Sequence, residues 1–273
     1  LSSFCKVIST CGEKIVISWE EADIEFSRYV DGKTLAIVGP SETAVGLGEG
    51  DTIDSFDIVA RVKSFMYPDE MKADLGTRSD ILYTTEARDR VDIKKYETYR
   101  HPTTGESTYR YEKFDGFDQY SDLKFVVSTY PRDEWFSDRY FGHLDDLRKS
   151  EITKCRFVNS PSYFRAKEKT DRPNSGFSSI VDILSFDIKS LHIFGLDFHR
   201  AMYRKDYQNS LYTHETIRRD TIYRDGIDSH QPDLQYQYFK YEMWKKDKRI
   251  KPNQSLLRFL SNDSYDCIYG EAK

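Results

Sequence analysis

Thr34-Leu35-Ala36-Ile37-Val38-Gly39-Pro40-Ser41 is the stretch on which the fold turns. A strand wetted on one face alternates apolar and polar side chains. A strand covered on both faces, as in the middle of a parallel sheet, reads as an unbroken apolar run. Leu35 to Val38 is such a run, and Gly39-Pro40 then turns the chain at the strand's carboxyl end. Working outward, Ile58 to Val62, Ile81 to Thr84 and Phe125 to Ser128 read the same way. Arg156 to Val158 reads as a short strand, and Leu191 to Phe194 as another buried one ending in Gly195. A strand-like run also falls at Lys14 to Ser18. Pro173 to Phe186 predicts a helix. Asn174 or Ser175 caps it, and apolar residues recur at Phe177, Ile180, Val181 and Leu184. Gln235 to Lys248 predicts a charged helix, Leu256 to Leu260 is a short apolar segment, and Tyr96 to Gln119 is expected to be a long loop or insertion.

Strands alternating with helices predict an α/β protein: one Rossmann-like domain with a mainly parallel central sheet flanked by helices. In such sheets ligands bind beyond the carboxyl ends of the strands, where the turns after Val38 and Phe194 fall. At 273 residues the chain suits one domain, 1–273. Its 41 basic and 46 acidic residues are interspersed, giving a net charge of −5 and no basic block, so nucleic acid is not an expected partner. No apolar run approaches the ~18–20 residues of a membrane span, and no secretory signal is expected in these residues. The chain begins at Leu1, so an N-terminal segment with targeting information is expected to be missing. Cys5, Cys11, Cys155 and Cys267 fit no metal-ligand spacing and read as free thiols in a reducing compartment.

The chemistry centres on two turns and two histidines. Gly39-Pro40-Ser41, with Gly46, Gly48 and Gly50 behind it, is neither a dinucleotide fingerprint nor a P-loop. It is a ligand loop or a tight connection. Pro173-Asn174-Ser175-Gly176 opens a helix, whose amino end favours anions. His214 and His230 follow. Imidazole titrates near neutrality, so one such residue can serve as a base while a second, protonated, meets a phosphate. His192 lies inside a strand and reads as structural, His199 lies near a strand end within reach of a ligand, and Arg61 suits a carboxylate partner inside the fold as well as a ligand. Many nucleotide-sugar transferases hold a metal with Asp-x-Asp. That triplet occurs nowhere in this chain, and no metal or other cofactor is expected.

Gly39-Pro40-Ser41, Gly46 to Gly50, Ile53-Asp54 and Asp57-x-Val59-x-Arg61, taken together, resemble the large donor-binding motif of the eukaryotic-type sialyltransferases, glycosyltransferase family 29. Pro173-Asn174-Ser175-Gly176-Phe177, running on to Ile193-Phe194-Gly195-Leu196-Asp197-Phe198, resembles the family's small motif, and His214 and His230 match its two later histidines. The resemblance spans roughly residues 33–240. It implies a GT-A-like variant fold with a donor-binding core at about 33–200 and a catalytic and acceptor side at about 200–273. It also implies an inverting, metal-independent transfer of a keto-sugar acid from its CMP ester to a glycan hydroxyl, with the CMP-sugar and a glycan as partners. Gly39, Pro40, Ser41, Arg61, Lys63, Ser175 and Gly176 would face the donor, His214 would bind its phosphate, and His230 would be the base.

Four departures qualify the match. Pro40 replaces an Asn and so lacks both its amide proton and its side-chain donor. Lys63 stands where a second Asn is usual, and Gln235 where Glu is usual, five residues after His230. Neither motif holds the cysteine that joins the two in the animal enzymes. The last point predicts a cytoplasmic, microbial, algal or viral relative rather than a Golgi-lumen enzyme. Sialic acid and 3-deoxy-octulosonic acid suit the nucleotide-facing motifs equally. Tyr96 to Gln119 and Met202 to Tyr212 are candidate acceptor contacts. Two other readings stay open: a different Rossmann-like transferase or hydrolase, such as a methyltransferase, and a non-catalytic nucleotide- or glycan-binding relative.

Overall fold

The computed structural model describes residues 17–63, 65, 69–84, 93–100, 107–113, 117–134, 138–204 and 230–268, without the side chains of 93–100, 107–113 and 138–141. Seven strands form one sheet: β1 (Thr34–Val38), β2 (Ile58–Val62), β3 (Ile81–Thr84), β6 (Phe125–Ser128), β7 (Lys154–Phe157), β8 (Ser190–Phe194) and β9 (Ile250–Pro252). Their order is β7-β6-β3-β2-β1-β8-β9. Every neighbouring pair is parallel. The chain winds from β1 out to β7, then returns to lay β8 on the other side of β1. The switch point therefore lies between β1 and β8, at the stretch that opened the sequence reading.

Both faces of the sheet are covered. Leu35, Ile37, Ile58, Ala60, Ile81, Tyr83, Phe125, Val127, Leu191 and Ile193 point into one apolar cluster. The intervening Ala36, Val38, Val59 and Phe194 join a second cluster, and Leu82, Val126 and Cys155 a third. This period-two alternation explains why the strands read as unbroken apolar runs.

The first face carries α1 (Trp19–Val30), α5 (Ser160–Thr170), α6 (Ser175–Leu184) and α7 (Pro232–Tyr238), which continues as a π turn over Phe239–Trp244. The opposite face carries α2 (Gly50–Asp54), α3 (Lys72–Leu75) and α4 (Asp138–Ser150). An eighth helix, α8 (Gln254–Leu260), follows β9. The strand expected at Lys14 to Ser18 is corrected at its end: Ser18 caps α1 in a capping box with Glu21, and Lys14 to Val16 lie outside the described residues. The long loop or insertion expected at Tyr96 to Gln119 contains most of an antiparallel hairpin, β4 (Ile93–Arg100) with β5 (Ser107–Lys113).

One buried polar knot fixes where α6 sits. Asp182 on α6 takes two bonds from Arg156 on β7, at 2.7 and 3.2 Å, one from the Tyr83 hydroxyl at 2.7 Å and one from the Asn159 amide at 2.7 Å. Arg156 also reaches Asp23 on α1 and lies over the Phe26 ring. A buried charge so fully satisfied resists sliding, because any shift strands a charged group in low dielectric. The helix is thereby locked in register, with its amino end at the carboxyl edge of the sheet.

Candidate functional site

At the switch point lies a cavity of about 160 Å³, a volume that takes one benzene-sized ring. Its walls come from the ends of four strands and one helix. Pro40 and Ser41 follow β1, Val62 and Lys63 end β2, Tyr130 follows β6, and Gly195 to His199 follow β8. Asn174 to Phe177 start α6, and Ala201, Met202, Tyr203 and His230 complete the wall.

The amino end of α6 has the electrostatics that suit an anion. Asn174 caps it, its side-chain oxygen accepting from the Phe177 amide at 2.9 Å. The amino end of the ten-residue helix carries partial positive charge. The Ser178 hydroxyl donates to the Thr129 carbonyl at 2.6 Å, tying the first turn to the loop after β6. Ser175, Gly176 and Lys63 line the same cavity. Lys63 has a left-handed backbone, φ 70°, as have Phe198 at 57° and His199 at 61°. Three non-glycine residues in that region on one wall represent stored strain of the kind that collects at binding sites.

Ser41 is the hub of the β1 turn. Its hydroxyl donates to Asp197 at 2.5 Å, while the Thr43 amide and hydroxyl donate to it at 3.2 and 3.0 Å. Glu42 and Met202 exchange bonds across the gap, and Arg204 donates to the carbonyls of Gly39 and Pro40. Burial pushes the Asp197 carboxyl up to about 6, against the opposing pull of the Ser41 hydroxyl and of Arg200.

His230 enters from beyond α5 by a bridge to Asp171. Its Nδ1 lies 2.8 Å from the Arg172 carbonyl, so that nitrogen carries the proton and donates. Nε2 is left with the lone pair, 3.5 Å from the Arg172 guanidinium. Burial first, and the Arg172 charge second, push its pKa down to about 3. The Gln235 amide also donates to the Arg172 carbonyl, at 3.0 Å, and its oxygen accepts from the Asn174 amide at 3.3 Å.

The fold thus brings Pro40, Ser41, Lys63, Ser175, Gly176 and His230 to one cavity. Two residues expected to face a donor do not line it. Gly39 stands behind the wall, where an added Cβ would lie 2.2 Å from Leu196 Cδ2 and 2.4 Å from the Gly195 carbonyl; it serves the close crossing of two turns. Arg61 is buried on the other face of β2 from Val62, and its Nε and Nη2 donate to the Arg78 carbonyl at 3.0 and 2.7 Å. Asp54 and Asp57, neighbours in the same motif, are scaffold too. Asp54 accepts from Thr77 and Arg78, and Asp57 from Thr34. His214 lies outside the described residues. His192 packs against the Phe56 ring, centroids 4.3 Å apart and tilted by 43°.

The chain is similar to solved mammalian sialyltransferases. Against one such crystal structure the identity is 12%, with 75% of this chain and 74% of the other covered, at a TM-score of 0.41. Against a mammalian sialyltransferase in complex with Gal-β-1-3GalNAc-ortho-nitrophenol the identity is again 12%, with 83% and 71% covered, at a TM-score of 0.44. No protein-family model matches the sequence, and no curated protein does.

Sequence reasoning did not single out Asp197, Arg172 or Tyr130 as site residues. Asp197 stood in a quoted motif, and a carboxylate directly beyond a buried strand and its glycine was the available signal. Arg172 and Tyr130 gave no signal, since each acquires its place from a contact between distant segments. Among the described residues no three His, Cys, Asp or Glu side chains gather as a metal site, and no helix is long and apolar enough to cross a membrane.

Proposed function

We propose that this chain transfers a keto-sugar acid, sialic or 3-deoxy-octulosonic, from its CMP ester to a glycan hydroxyl with inversion and without a metal. The observation that carries this is the convergence of motif residues far apart in sequence, Pro40, Ser41, Lys63, Ser175, Gly176 and His230, on one cavity at the switch point. The cavity takes one ring, so the rest of a nucleotide-sugar would have to extend beyond it. The α6 amino end and the Lys63 ammonium meet the phosphate and supply the positive charge that a leaving CMP needs. His230 presents a lone pair on Nε2. The acceptor hydroxyl gives its proton to that nitrogen as its oxygen bonds to the anomeric carbon. The bond from that carbon to the phosphate oxygen breaks, and CMP departs with the electron pair. Cys155 and Cys267 are free thiols, in keeping with a cytoplasmic setting.

A second reading has one observation in its favour. A histidine held near pKa 3 is a poor base at neutral pH, as expected of a relative that binds a nucleotide or glycan without turning it over. The experiment is CMP release from CMP-sialic acid and CMP-octulosonic acid in EDTA, with and without a panel of glycan acceptors. Acceptor-dependent release names the donor and supports transfer. CMP binding without release on any acceptor supports the second reading. Neither release nor CMP binding removes both. His230→Ala is expected to abolish transfer while CMP affinity stays within about threefold, on the order of 0.6 kcal/mol; full activity in that variant would overturn the base assignment.

A further inference from the structure

We propose that Arg172 is a positioning residue that keeps His230 from accepting a proton until an anion enters the cavity, so that the donor itself releases the base. The proposal rests on the cavity being a donor site. One residue holds both imidazole nitrogens: the Arg172 carbonyl accepts from Nδ1 at 2.8 Å, and its guanidinium Nη2 faces Nε2 at 3.5 Å. The first contact fixes the tautomer and leaves the lone pair on Nε2. The second caps that lone pair with an N–H. Protonating Nε2 in this arrangement would place two cations in contact.

The backbone that makes this grip is itself anchored. Arg172 lies directly before the Pro173-Asn174-Ser175 turn, Asp171 bridges to His230 with φ 58°, and Gln235 on α7 takes the same Arg172 carbonyl at 3.0 Å. The charged groups that bear on His230 come from three further directions. Lys63 at the end of β2 and His199 beyond β8 both oppose a proton. The one carboxylate on the cavity wall, Asp197, is committed to Ser41 and to the backbone amides of His199 and Ala201. Asp233 on α7 pairs with Arg200 at 2.8 Å. Among the described residues that line the cavity, Asp197 is the carboxylate, and it is already engaged by its contacts with Ser41 and those amides.

A phosphate or carboxylate seated at the α6 amino end changes each of these contributions. It lies beside the turn that carries Arg172, and a guanidinium prefers a bidentate anion to a single imidazole nitrogen. Drawing the guanidinium aside frees the Nε2 lone pair, and the anion's charge adds to its proton affinity. The hydroxyl proton then goes to Nε2 only when the donor is present, which guards an activated sugar ester from a base that would otherwise activate water.

The test is NMR titration of the His230 ring in the full chain, in the parent, Arg172→Gln and Arg172→Lys proteins, each with and without CMP. In the parent without ligand, His230 is expected to stay neutral to below pH 5. Arg172→Gln is expected to raise its midpoint by at least about one unit, a tenfold change in proton affinity. Arg172→Lys, which keeps the charge, is expected to stay close to the parent. Saturating CMP should raise the midpoint in the parent and much less in Arg172→Gln. An unchanged midpoint in a folded Arg172→Gln protein overturns the coupling. So does CMP that binds the parent and leaves the midpoint where it was, a result that stands even when the glutamine variant does not fold. No CMP binding at all overturns the donor-site reading on which the release step rests, while the ligand-free comparison still judges the grip of Arg172 on His230.

Discussion

Gln235→Glu introduces a carboxyl group beside the Arg172 carbonyl, and the structure predicts that it harms this chain. Gln235 is fully buried; its Nε2 donates to the Arg172 carbonyl at 3.0 Å and its Oε1 accepts from the Asn174 amide at 3.3 Å. An ionised glutamate keeps the second contact and turns the first into oxygen against oxygen. The lost bond costs about 1 kcal/mol, and a buried carboxylate facing a carbonyl costs a further ~1–3 kcal/mol. The nearby Arg172 charge returns part of this, for a net loss of about 2 kcal/mol at pH 8. In a chain of this size that is roughly 4–8 °C in Tm. The pH dependence has a definite sign. Burial and the carbonyl raise the folded-state pKa of the introduced carboxyl group above the ordinary glutamate value of about 4.3. The neutral acid can donate to Arg172 as the amide does. Its stabilisation is therefore complete below the unfolded pKa and lost as pH rises through the folded one. Urea denaturation at pH 4.5 and pH 8 should show the variant close to the parent at the first and about 2 kcal/mol weaker at the second. Equal stability of the two proteins at both pH values would refute the reasoning and mean that Arg172 holds the carboxylate ionised without strain.

Three further substitutions test the site's construction. Gly39→Ala places a methyl 2.4 Å from the Gly195 carbonyl, a backbone atom that cannot swing away, and is expected to cost about 1–3 kcal/mol by thermal denaturation, with Leu196→Ala rescuing only part of it. Lys63→Gly removes the strain of φ 70° and is expected to raise stability by about 1 kcal/mol while weakening CMP binding in calorimetry, which separates the lysine's charge from its backbone. Asp197, pushed up to about 6 by burial, contributes stability that is complete below about pH 4 and lost as pH rises through 6. Asp197→Asn should therefore gain on the parent by on the order of 3 kcal/mol between pH 4 and pH 8 in urea denaturation.

The central strands were legible because a strand buried on both faces leaves a short, β-branched apolar run, and here turn residues bound it. Leu35 to Val38, Ile58 to Val62 and Leu191 to Phe194 fall in the sheet where their composition placed them. Asn174 announced α6 by the same logic, as a cap ahead of a helical apolar spacing. The edge was harder. Strand β9 is three residues, Ile250–Pro252, with a charge in its middle and a proline at its end, too short for a period to show. The hairpin at Ile93–Arg100 and Ser107–Lys113 draws on charged and tyrosine residues with almost no aliphatic content, so its alternation read as irregular. Helix α1 was overlooked although Ser18, Glu21 and the spacing of Ala22, Phe26 and Val30 spell it out. At the site, residue types that act through backbone position were visible and those that act through a partner were not. Ser175 and Gly176 follow from the helix start, whereas the roles of Arg172 and Asp197 exist only once α6 and the loop beyond β8 have closed on β1.

The glycines of the two motifs answer a question that the sequence left open, whether the turns hold a ligand or hold each other. An added Cβ at Gly39, Gly176 or Gly195 would come within 2.9 Å of the Leu196 side chain, of a backbone carbonyl or of Ala44. Leu196 is thus a wedge that sets the spacing of the β1 turn, the β8 turn and the α6 start, and the glycines fit around it. This also explains how Pro40 is tolerated. The amides of Gly39 and Ser41 both donate to β8, to Phe194 and Gly195, so by the alternation of an extended chain the amide that Pro40 lacks would point away from that strand. Its carbonyl is the group in use, accepting from the Arg204 amide at 2.9 Å. Of the residues that carry the resemblance, Gly39, Asp54 and Asp57 serve the scaffold, while Ser41, Ser175, Gly176, Gly195 and His230 line the cavity. Of those that depart from the sialyltransferase pattern, Pro40 and Lys63 line the cavity and Gln235 clamps its rim. Leu196 and the glycines around it set the cavity's architecture, and Lys63 lines the same cavity as the amino end of α6.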